Sequence, residues 1–167
     1  MSDTREPVIA PQSPPSSPNT PIITETEPNL ALGTLAGIGA ALLGAVIWAV
    51  VTVLTHAQIG WMAVGVGFLV AWAVRTLGKG RSQAFGVIGA VLALLGCALG
   101  NLLSQAAFLA EAQSEPLAST ITRVLTDPDL ALRVMQAQFQ AMDVLFYAIA
   151  AYEGFKFARR PPSAPAG

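Results

Sequence analysis

The chain has 167 residues, of which 53% are hydrophobic and only 11% are charged. A soluble domain carries about 25% charged residues, so the deficit, with a mean hydropathy of +0.57, excludes an ordinary water-facing surface. The net charge is −1, and no basic patch interleaved with aromatics supports nucleic-acid binding.

Residues 1–29 hold seven of the twelve prolines, many Ser and Thr, and almost no large apolar residues. A stretch such as "PQSPPSSPNTP" cannot bury a core, so a disordered, polyproline-rich tail is expected. It does not read as a signal peptide, because the first apolar run begins near Leu30, after Glu25 and Glu27.

From Leu30 to Thr55 there are 26 residues without a charge. About 20 apolar residues cross a hydrocarbon core of about 30 Å, which predicts a first span over about 33–55. "HAQIG" is a tight turn. "IGWMAVGVGFLVAWAV" predicts a second span, about 59–75, with Trp61 and Trp72 near its ends, where aromatic rings favour the interface. "RTLGKGRSQ" is a polar loop. Ala84 to Ala110 is another uncharged run of 27 residues, predicting a third span over about 84–108.

"EAQSEP" breaks that helix. An amphipathic outer segment is expected over about 117–138. Asp127 suits an N-cap and Pro128 the first helical position. Leu132, Met135, Phe139 and Met142 recur at helical spacing as the apolar face of a helix that fits either the membrane interface or a continuous approach to the stretch that follows.

"DVLFYAIAAYEGFKFARR" (143–160) is the hardest stretch to place. Val144 to Tyr152 rises only about 13 Å, so a span must borrow from both sides, about 139–158. Positive charge favours that reading. With four spans, Arg5, Arg75, Lys79, Arg81, Lys156, Arg159 and Arg160 share one side, against Arg123 and Arg133 on the other. Seven against two is a positive-inside bias, whereas three spans leave four against five. The expected fold is therefore all-α: a polytopic helical membrane protein with four transmembrane helices. Both termini would be cytoplasmic, and 161–167 a flexible C-terminal tail.

Small residues form the most regular pattern. Gly33, Gly37 and Ala41 repeat at spacing four, as do Ala63, Gly67 and Ala71, while Gly89, Ala93, Gly96 and Gly100 line one stripe. Such stripes let backbones approach closely. Packing within one bundle is the expectation, and a homo-oligomer or another membrane protein is the other partner they suit.

Asn101, Ser104 and Gln105 share an i, i+3, i+4 face, and Asn101 lies about 25 Å along the third span. Asp143 opens the fourth span at similar depth, which suggests an intramembrane polar layer. At the inner end, Glu153 is expected to pair with Arg75 or Lys156. The lone Cys97 reads as a small buried apolar residue. One Cys and a distant His make no zinc site. Ser104, His56 and Asp143 come with no nucleophile elbow, so no hydrolase is expected, and neither is any other enzyme activity or cofactor.

Residues 44–80, 85–103 and 143–160 together resemble a family of small, uncharacterised bacterial multi-spanning membrane proteins. The resemblance covers roughly residues 33–160 and implies an inner-membrane location, but no activity and no catalytic residues. Some relatives carry a cysteine-rich zinc ribbon before the first span. This N-terminal tail has no cysteine, so no metal site carries over. The expectation is a non-enzymatic structural or interaction protein of the lipid bilayer. The alternative is a subunit of a small oligomeric channel or transporter, with the polar layer lining its path.

Overall fold

The computed structural model describes residues 28–57, 60–80, 82–138 and 140–159. The expected C-terminal tail, and the N-terminal tail up to residue 27, lie outside them. The described residues are all-helical: α1 (Leu30–Thr55), α2 (Trp61–Gly78), α3 (Gln83–Gln113), α4 (Leu117–Thr126), α5 (Pro128–Gln138) and α6 (Ala141–Ala158). By length and composition, α1, α2 and α3 are each able to cross a membrane.

Local chemistry sets the ends. The Asn29 side chain accepts a hydrogen bond from Leu32 N at 2.9 Å, capping α1. The Asn29 backbone N–H also bonds Gly78 O at 2.9 Å, tying the start of α1 to the end of α2. The first three helices end on His56, Lys79 and Ser114, all left-handed at φ 50–54° although none is glycine. At 31 residues, α3 is about 46 Å long. It overshoots a hydrocarbon core of about 30 Å, and its projecting end carries α4 and α5.

The core is built inside out relative to a soluble protein. Glycine, alanine and valine fill the seams, whereas Leu35, Leu42, Leu54, Phe68, Trp72 and Leu95 face outward. Lipid is as apolar as leucine, so helices in a bilayer gain more from close backbone approach than from burying large side chains.

Each expected small-residue position makes such an approach. A Cβ on Gly33 would lie 3.0 Å from Gly78 Cα, and one on Gly37 would lie 2.5 Å from Val74 Cγ2. On Gly67 it would lie 2.7 Å from Ala150 O; on Gly96, 3.0 Å from Val66 Cγ1; on Gly100, 3.0 Å from Trp48 Cβ. On Gly89 it would overlap Gly154 O. All of these are contacts within the one chain.

The helix order follows. α2 and α3 touch each other at the centre, α1 packs on both from one side, and α6 packs on both from the other. Gly67 meets Ala150 and Phe68 meets Phe157, so α6 runs parallel to α2. Gly89 meets Gly154 and Asn101 meets Tyr147, so it runs antiparallel to α3.

The segment expected to be amphipathic holds two helices, α4 and α5. Asp127 Oδ1 accepts from Asp129 N and Leu130 N, both at 3.1 Å, so it caps α5 as expected, with Pro128 first in the helix. Preceding it, α4 buries Thr120 and Val124 completely. The apolar stripe expected over 132–142 is interrupted. α5 stops at Gln138 and α6 begins at Ala141 behind a capping box, in which Asp143 Oδ2 accepts from Gln140 N at 2.8 Å. Leu132 is exposed and Met142 belongs to α6; Phe139 lies outside the described residues. Met135 is half-buried, and Val134 and Ala137 line the crevice between α5 and α3.

Candidate functional site

The polar residues of the interior gather in the half nearer α4 and α5. Asn101, Ser104, Gln105 and Thr52 are all buried. The other half is filled by Val70, Val74, Phe85 and Ala93, with Cys97 Sγ between the two, 3.9 Å from Ala63 O.

Within the polar half the structure divides the expected layer rather than joining it. Asn101 meets α6: its Nδ2 donates to the Tyr147 hydroxyl at 3.4 Å. The Ser104 hydroxyl donates to Gly100 O of its own helix at 2.7 Å. Gln105 lines a crevice of about 270 Å³ under α5, with Phe108, Leu109, Val134 and Ala137. Asp143 closes the α6 capping box. The physical reason is angular. At about 100° per residue, positions 101, 104 and 105 spread over about 100° of the helix surface. That arc is wide enough for Asn101 and Gln105 to meet different helices.

Tyr147 was not read as a partner from sequence. Its signal was available: it lies one turn beyond Asp143, on the same face and closer to the depth of Asn101. Trp48 was also missed, although a tryptophan in the middle of an uncharged run is out of place for an interfacial anchor.

The expected set Glu153, Arg75 and Lys156 is not joined by an ion pair. Lys156 Nζ sits 5.0 Å from the centroid of the Tyr152 ring, and the Arg159 guanidinium sits 4.6 Å from that of Phe155. Among the described residues the ion pair is Arg123 with Glu115, Nη2 to Oε2 at 3.0 Å. Arg123 Nη2 also donates to Gln113 Oε1 at 3.1 Å, and Thr120 Oγ1 donates to Glu115 Oε2 at 3.2 Å. Together these fasten α4 to the projecting end of α3.

An apolar groove of about 500 Å³ runs between α1 and α3 beneath α4, lined by residues such as Val50, Leu54, Leu103 and Ile121. Among the described residues no three His, Cys, Asp or Glu side chains converge as a metal site would require. Comparison with protein-family models, with curated proteins and with solved structures finds no match for this chain. The class defined so far is an all-helical protein with three candidate membrane-spanning helices.

Proposed function

We propose that the chain is a four-span integral membrane protein of a bacterial inner membrane, with both termini cytoplasmic. Its role is non-enzymatic, structural or in assembly with a membrane partner. It belongs, in this reading, with the small multi-spanning family it resembles. The observation that carries the fourth span is the parallel docking of α6 on α2. Gly60 lies against Phe146, Gly67 against Ala150 and Phe68 against Phe157, so the two helices occupy one slab. Val144, Leu145 and Tyr152 are more than half exposed on the outer side of α6, where lipid would cover them. Asp143 is engaged at the helix end, in the capping box, and Lys156 snorkels over Tyr152.

A channel or transporter subunit is the second reading, favoured by the concentration of buried polar side chains at one depth. The valine- and alanine-filled inner half supplies no conduit within one copy, so this reading needs an oligomer. The mass of the detergent-solubilised protein separates the two. A monomer supports the interaction role, and a closed ring of copies supports the channel. A deletion strain profiled across osmotic, metal and pH stress then names the process.

A further inference from the structure

The α1–α3 seam holds polar atoms that the protein itself leaves unmatched. The two helices run in the same direction. Gly37 faces Leu92, Ala41 faces Gly96, Trp48 faces Gly100, and the His56 ring lies 6.0 Å from that of Phe108. Thr52 is one turn above Trp48, and Ser104 is one turn above Gly100. This register therefore sets Thr52 beside Ser104, bracketed by a contact below and a contact above. Both are buried, at 2% and 0% exposure.

Trp48 Nε1 and Thr52 Oγ1 are buried without a hydrogen-bond partner. Thr34 and Thr55 on the same helix donate back to Leu30 O and Val51 O, at 2.8 Å and 2.7 Å. Thr52 does not make that bond, although it is available to any helical threonine. Ser104 spends its proton on Gly100 O and keeps its lone pairs free to accept. One N–H donor, one hydroxyl that both donates and accepts, and one acceptor thus share two turns of a buried seam. Buried polar groups are rarely left unpaired.

From this arrangement we infer a buried water-binding site between α1 and α3, held by Trp48 Nε1, Thr52 Oγ1 and Ser104 Oγ. Water accepts from the indole N–H, exchanges hydrogen bonds with the threonine and donates to the serine, and it needs no charged partner. Two to four polar contacts are what a buried water requires. The site joins the two helices by hydrogen bonds just above their glycine contacts, and it does so whatever partner the protein has.

The test uses the full chain in lipid nanodiscs, with ¹⁵N-labelled tryptophan. Trp48→Phe assigns the Trp48 indole signal. The site predicts a through-space cross-peak between Trp48 Nε1–H and a long-lived water, weakened several-fold in Thr52→Val, with the Trp61 and Trp72 signals unmoved. Thr52→Val and Ser104→Ala should each lower the melting temperature, and less than additively in combination. Thr52→Ser keeps the hydroxyl and should retain the cross-peak, which preserves the test if Thr52→Val does not fold. An absent cross-peak in the unmodified protein overturns the site. So does a higher melting temperature for Thr52→Val, because a dry, unpaired hydroxyl is relieved by its apolar isostere.

Discussion

Gly89 of α3 and Gly154 of α6 face each other with their backbones in contact: a Cβ on Gly154 would lie 2.6 Å from the Gly89 carbonyl oxygen. A backbone carbonyl cannot swing aside as a side chain does. Gly154→Ala should therefore cost about 1–3 kcal/mol, the usual range for overpacking, read as a lower melting temperature in detergent. Gly39→Ala is the control. Nothing lies within 4 Å of its added Cβ, so the helix should gain about 0.5–1 kcal/mol from the lost glycine entropy. Equal effects at the two positions would show that α6 is not seated on α3 through this contact.

The Asn101–Tyr147 bond should appear as coupling. Asn101→Leu and Tyr147→Phe should be non-additive, by about 0.6 kcal/mol and at most about 1.7 kcal/mol, as for interhelical hydrogen bonds in other membrane proteins. Asp143→Ala, which removes a capping box, should cost about 0.5–2 kcal/mol and should add independently to Gln105→Leu. Strong coupling of Asp143 with Gln105 would instead restore the single layer expected from sequence.

Topology is tested by reporter fusions. Fusions at Ser163 and just after Lys79 should both read cytoplasmic, and one near Ser119 should read external. An external signal at Ser163 would mean that α6 does not cross, and the seven-to-two charge division would lose its meaning.

The exit from α3 offers a gain of stability. Ser114 sits at φ 54° while Glu115 N bonds Ala110 O at 2.9 Å, closing a Schellman-type turn. A left-handed non-glycine residue costs about 1–2 kcal/mol. Ser114→Gly should recover about 1 kcal/mol, seen as slower amide exchange in the last turn of α3. Faster exchange there would show that the serine hydroxyl holds the turn.

Hydropathy is a property of each residue separately, summed along the chain. For that reason the uncharged runs of 26 and 27 residues were enough to place α1 and α3 within a few residues of their observed bounds. Asp127 and Pro128 marked the start of α5 in the same way, because a cap is a contact between residues two or three apart. The sequence also marked the glycine stripes as close-packing surfaces. It had no means of saying which helix each stripe meets, since that depends on register and on rotation about the helix axis. Tertiary structure decided those pairings: Gly89 with Gly154, Gly67 with Ala150, Gly100 with Trp48. It decided as well that Asn101 and Gln105, adjacent on one helix, look toward α6 and α5, while Ser104 bonds its own backbone. The break between α5 and α6 is a different case. The Gln140–Asp143 box that opens α6 is itself a contact between residues three apart, as local as the Asp127 cap, but the apolar periodicity running past it masked the signal.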